Sequence, residues 1–238
     1  MALDIGEVIE EGVERVIAKS GLKYVGLSLL ASLITAVASG SLATAVGDSA
    51  MQSQPALALG LPAPVAGLLA IAGGIFSAIL GIAGTRLFVS DETESIPREF
   101  FTRNLGWALL NLIVGGIIFV VAVGVGSIFF LIPGLFLLVS LYFWNIFVVV
   151  EDENFVEAFS SSWELTSDYR LKLFGLGIIV VVAVGIVNFL IGLILGAISL
   201  AGIPGITAIT TILRLIPQAF TTAFSLAASA EAYNQLRE

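Results

Sequence analysis

Neither histidine nor cysteine occurs among the 238 residues. The chain therefore has no imidazole base, no thiolate nucleophile, no disulfide, and neither of those two metal ligands. Four polar side chains stand out in otherwise hydrocarbon-like sequence: Asn111, Asn145, Asn188 and Arg214. An amide in lipid finds no water and must bond another polar group, so its first use is as glue between helices. Asn111 and Asn145 lie equally deep in consecutive apolar segments, which predicts that they approach and exchange amide hydrogen bonds. Asn188 falls in the outer half of a later segment, within reach of Arg214. For Arg214 there are two placements. If the last apolar helix begins at Leu215, the guanidinium sits at the membrane edge and snorkels to water; this is the favoured one. If that helix begins near Gly205, the charge is buried at mid-depth and demands a partner.

Beyond these groups the chemistry is thin. Intramembrane proteases and acyltransferases need a Ser/His pair, paired aspartates or a His/Glu metal site, and the apolar segments hold no Asp, Glu, Lys or His. That argues against a pump or a proton-coupled transporter. The glycine-rich pieces have no GxGxxG or Lys context for a phosphate cradle. No enzyme activity, metal or cofactor is expected.

Composition says which solvent positions these residues. With 58% hydrophobic and only 12% charged residues, and a mean hydropathy of +1.07, the chain cannot cover itself with polar surface in water. Lipid must surround most of it. The net charge of −8 argues against nucleic acid as a partner, and the acidic, Lys-poor balance points to a high-salt cytoplasm. The N-terminal stretch is acidic and lacks a basic region followed by an apolar core, unlike a cleavable signal peptide.

A bilayer crossing takes about 20 apolar residues as helix. Charge-free intervals then predict an all-α, polytopic membrane domain of six transmembrane helices over residues 1–238. The first runs Tyr24–Gly47 and the second from about Val65 to Thr85. Asn104–Val150 holds two, separated by a tight hairpin at Leu131–Gly134 that carries Pro133 and Gly134. Leu173–Leu213 is broken at Ala201–Gly205, and the sixth runs from Leu215 to about Ala230. Nine of the ten cations, and every acid except Asp48, then share one side. The bias of cations toward the inner face makes that side, with both termini, cytoplasmic in the cell membrane.

Helical periodicity adds three amphipathic helices on the same side. In 155–166 the apolar arc holds Phe155, Val156, Ala158, Phe159, Ser162, Trp163, Leu165 and Thr166, with Asn154 as N-cap and Glu157 completing a capping box. Residues 3–19 set Ile5, Val8, Ile9, Gly12, Val13, Val16 and Ile17 opposite Asp4, Glu7, Glu10, Glu11 and Glu14. A shorter stretch, Ser95–Asn104, offers Phe100 and Phe101 as anchors, with Ser95 as an N-cap. Such helices lie along a membrane interface, with Phe155, Phe159 and Trp163 facing down. Their acidic polar faces suit packing on the protein's own helix ends better than gripping anionic lipid. Each precedes a pair of crossings, giving three helix-plus-hairpin units of about 1–90, 91–150 and 151–238.

The run from Ile132 to Ile179 resembles the membrane domain associated with glycerophosphodiester phosphodiesterases, and related polytopic proteins. The shared residues are Pro133-Gly134, an acidic link, and an E-A-x-x-x-S-W-x-L-T helix at Glu157-Ala158, Ser162-Trp163 and Leu165-Thr166. Arg170 and Lys172 follow, and Tyr233, Leu236 and Arg237 match a terminal Y-x-x-L-R. The resemblance implies a six-helix membrane domain. It does not bring the catalytic activity, which in that family belongs to a separate soluble barrel rich in Glu, Asp and His.

Small-residue rows at Gly73, Ser77 and Gly81, and at Gly192 and Gly196, allow close helix approach within the bundle or between protomers. Taken together, the residues point to a non-enzymatic membrane scaffold or accessory subunit. It would work with membrane lipids, and with a protein partner or another copy of itself. A transporter or channel for an uncharged or lipidic solute is the alternative.

Overall fold

The computed structural model describes residues 3–46, 57–129, 131–200 and 205–237, and these form ten helices and no strand. In chain order they are α1 (Ile5–Ile17), α2 (Lys19–Val46), α3 (Ala63–Val89), α4 (Glu99–Thr102), α5 (Leu105–Phe129), α6 (Leu131–Ser140), α7 (Trp144–Val150), α8 (Phe155–Thr166), α9 (Arg170–Ser199) and α10 (Ile206–Arg237). Five runs are long and apolar enough to cross a membrane: α2, α3, α5, α6 with α7, and α9. At 32 residues α10 has the length, but Arg214, Gln218 and its threonines dilute its apolar character.

Three boundaries differ from expectation. Pro133 and Gly134 do not form the turn between α5 and α6; they occupy the first turn of α6, where a proline's missing N–H costs nothing. Residue 130, between α5 and α6, lies outside the described residues. Gly134 is there for a close crossing: an added Cβ would meet Ser127 Oγ at 2.0 Å and Ser127 N at 2.8 Å. The last helix starts at Ile206, not Leu215, and runs unbroken through Pro217. Of the 201–205 break, only Gly205 is described; its φ of +80° is a left-handed conformation that glycine adopts freely. The Ser95–Asn104 stretch holds only four helical residues, with Arg98 rather than Ser95 at the N-cap position.

Packing is uneven. The pair α2–α3 interlocks through small residues: a Cβ on Gly73 would lie 3.1 Å from Ile34, and one on Gly84 would lie 2.5 Å from the Tyr24 ring. Ala219, Ala223, Ala227 and Ala230 of α10 press their small faces onto the same cluster, beside Tyr24, Leu80 and Phe88. A second core gathers Phe143, Trp144, Phe147, Ala158, Leu176 and Tyr233 from α6–α10 and the turn between α6 and α7. By contrast only Leu173, Leu176 and Leu195 of the 30-residue α9 are buried.

Candidate functional site

Polar side chains concentrate at one end of the bundle, around the acidic link Glu151–Asn154. The link turns sharply, with Asp152 at φ +59°. Each of its residues is held. Glu151 accepts from the buried Tyr233 hydroxyl at 3.1 Å and from Arg237 Nη1, which also donates to Tyr233 Oη at 2.8 Å. Burial and the Glu151 carboxylate push the Tyr233 phenol well above its ordinary pKa, so it stays a donor. Asp152 pairs with Arg103 at 3.6 Å and with Arg86 at 3.9 Å, and its carbonyl accepts from Trp107 Nε1. Glu153 accepts from Ser161, and Asn154 caps α8.

Arg86 anchors this cluster from the last turn of α3. It is only 3% exposed, and donates through Nε to Val149 O at 2.9 Å and through Nη1 to Phe100 O at 3.0 Å. One guanidinium thus ties α3 to the end of α7 and to α4, using the forked geometry that lysine lacks. Sequence reading treated Arg86 only as a topology signal.

Cations near the N-terminus do the same for the segment after α3. Arg15 donates to Ser90 O and pairs with Asp91, Lys19 pairs with Glu94 at 2.7 Å, and Lys23 donates to Glu94 O at 2.9 Å.

Asn111 and Asn145 do not meet. Asn111, buried on α5, donates to Trp107 O at 3.0 Å and accepts at Oδ1 from the Phe155 N–H at 3.0 Å. This completes the start of α8. Phe155 N–H goes to Asn111, Val156 and Glu157 N–H go to Asn154 Oδ1, and Asn154 N–H goes to Glu157. The orphan donors of a helix start are all accounted for. Asn145 instead faces a cavity of about 350 Å³ between α3, α5 and α7, beside Thr85 and Ile113.

The inner face of α8 repairs a break in its neighbour. Between α6 and α7 the helix tightens, and Trp144 N–H bonds Leu141 O in place of Ser140 O. Ser140 O then accepts from Ser162 at 3.2 Å and Thr166 at 3.0 Å, while Phe143 N–H donates to Ser162 Oγ at 3.1 Å. Left unpaired, each such buried group costs about 1–3 kcal/mol. The clue was present: Ser162 and Thr166 stand four apart on an otherwise apolar arc, where a hydroxyl needs a backbone partner.

Aromatic anchors turn largely onto the protein. Phe155 and Phe159 are half-buried, and Phe159 packs on Trp144 with ring centroids 5.3 Å apart. Phe100 and Phe101 pack on the α2–α3 cluster. Trp163 is 42% exposed, edge-on to Phe136, with the Arg170 guanidinium 4.7 Å from both ring centres.

Asn188 and Arg214 do not pair. The Asn188 amide is exposed on α9 and donates to Val184 O of its own helix at 2.8 Å. Arg214 lines a small pocket at the far end of α9 and α10 and has no hydrogen bond or ion pair among the described residues.

Two larger hollows are apolar grooves beside α9. One of about 280 Å³ lies against α1 and α10, among Val16, Ile17, Val187 and Phe224; the other, about 470 Å³, lies against α6 and α10, among Leu138, Tyr142, Phe174 and Val181.

Against known families, residues 3–236 match the model of a domain of unknown function, DUF7847. The chain belongs to the DUF7847 family. No curated protein and no solved structure matches it. The match reaches into all ten helices, so in this DUF7847 chain the acidic link, Arg86 and Tyr233 fall within a single family unit, and Arg237 lies one residue beyond the matched range.

Proposed function

We propose that this DUF7847 protein is a non-enzymatic membrane scaffold or accessory subunit that organises lipid or a partner protein. The observation that carries this reading is the division of labour among its surfaces. Most polar side chains at the charged end are spent on internal bonds, while the grooves beside α9 are apolar and open sideways. Such surfaces take hydrocarbon chains or another helix, and offer no group for bond-making chemistry.

In the same reading α10 is the sixth crossing. The charged end and both termini face the cytoplasm, and α1, α4 and α8 lie at that interface. The placement of nine cations between or beyond the apolar segments, all on one side of a six-crossing chain, supports it. The likeness to the phosphodiesterase-associated membrane domain is then one of architecture. The four hollows described share no lining residue, which favours a scaffold over a channel.

Purification from native membranes in mild detergent, followed by native mass spectrometry, tests the role. Specific lipid or protein adducts are expected, and recovery of the bare chain sinks it. Membrane-impermeant thiol labelling tests the topology, helped by the absence of native cysteine. Glu157→Cys should be shielded in intact cells and Leu200→Cys labelled.

A further inference from the structure

Arg214 is the one cation away from the charged end: the other nine are Arg15, Lys19, Lys23, Arg86, Arg98, Arg103, Arg170, Lys172 and Arg237. It lies eight residues beyond the start of α10, about 12 Å along the helix. A charge at that depth must reach water or find a counter-charge. Its pocket, about 70 Å³, is walled by Gly196 and Ser199 of α9 and by Thr207, Thr210 and Thr211 of α10.

Between Asn188 and this end α9 is hydrocarbon, and the pocket adds hydroxyl groups to its wall. Three hydroxyls converge there. Each donates to a carbonyl of its own helix, Ser199 to Leu195 O at 2.9 Å and Thr210 and Thr211 to Thr207 O at 3.1 and 2.7 Å, and Ser199 Oγ lies 3.5 Å from Thr210 Oγ1. Gly196 keeps the wall open, since nothing lies within 4 Å of where its Cβ would be. No acid lines the pocket, and the one carboxylate the sequence places toward this end, Asp48, lies outside the described residues. A guanidinium without a counter-ion among the described residues, flanked by hydroxyls that can turn from their own helix carbonyls to a ligand, suits a tetrahedral oxyanion.

We propose that the Arg214 pocket binds a phosphate group, carried by a phospholipid headgroup or free in solution. The headgroup source rests on the six-crossing reading, which puts this end of the hairpin in the outer leaflet. Arg214 supplies the charge and the forked donors, and Ser199 and Thr210 supply further hydrogen bonds.

The test uses the full chain in maltoside micelles doped with phosphatidylglycerol, or with digalactosyldiacylglycerol, which has similar tails and no phosphate. Native mass spectrometry then counts the retained lipid. Phosphatidylglycerol should be retained and the galactolipid not. Arg214→Gln should lower retention about tenfold and Arg214→Lys less, because lysine keeps the charge but loses the fork. Arg98→Gln, which removes a cation at the opposite end, should change nothing. Displacement by millimolar inorganic phosphate assigns the pocket to free phosphate; no displacement assigns it to the headgroup. Equal retention by wild type and Arg214→Gln overturns the proposal, as does an equal fall in Arg98→Gln. So does a rise in retention with Asp48→Asn, which would make Asp48 the counter-ion. Micelles have no sidedness, so a topology failure in the Leu200→Cys labelling leaves this result standing on its own.

Discussion

The hairpins α2–α3 and α9–α10 each hold one long, glycine-rich helix, α3 and α9, yet these two use their glycines differently. In α2–α3 two of the missing side chains are filled by the partner helix, Ile34 standing over Gly73 and the Tyr24 ring over Gly84, while Gly67, Gly74 and Gly81 stay open. In α9 the sites at Gly185, Gly192 and Gly196 meet nothing within 4 Å. Composition is shared; the packing partner is not. A small-xxx-small row is therefore only permission for close approach, and whether a helix takes it depends on what is brought alongside. The tight hairpin is a foundation for the charged end, and the loose one presents surface to the surroundings.

Substitutions that fill space separate the two most strongly. Gly84→Leu should cost about 3 kcal/mol or more, because Tyr24 is fully enclosed and cannot retreat. Gly192→Leu should stay within about 0.5 kcal/mol. Thermal unfolding in detergent measures both, and equal losses would erase the contrast. The two arginines form the next pair. Arg86→Ala should cost about 3 kcal/mol by stranding Val149 O, Phe100 O and Asp152, whereas Arg214→Gln should leave stability unchanged.

Asparagines repeat the pattern on a smaller scale. Asn111→Ala removes the acceptor for the Phe155 N–H and should cost about 1–2 kcal/mol, with proteolysis of α8 as a local readout. Asn188→Ala, losing only a bond to its own helix, should be near neutral.

The smallest effect is in pH. Glu231 on α10 has its pKa raised, chiefly by burial and further by Glu11 and Glu7, while a bond from Gln235 works against the shift. A raised carboxyl binds its proton more tightly folded than unfolded. Stability should therefore fall slightly as pH rises above the ordinary carboxylate range, near pH 4. Glu231→Gln, which keeps an acceptor for Gln235, should flatten that slope in unfolding curves taken across pH.

Much of the charged end was legible one residue at a time. Asn154 and Glu157 make the capping box that their spacing implies, because a cap is a local bond over three residues. The partners of Asn111 were not legible. Its depth in the chain matched that of Asn145, but α8 folds back and puts a bare N–H closer than any amide. Arg86 was hidden for a related reason: its value comes from two carbonyls 14 and 63 residues away.

The sequence alone determined the solvent, the helical character and the clustering of charge, since these follow from hydropathy and periodicity summed along the chain. Only tertiary structure decided which glycines are filled, that Asn111 accepts from the Phe155 N–H, and that α8 mends the break beside Ser140. Those outcomes are contacts across tens of residues, set by how helices cross, and no local pattern encodes the distance between two side chains on different rods.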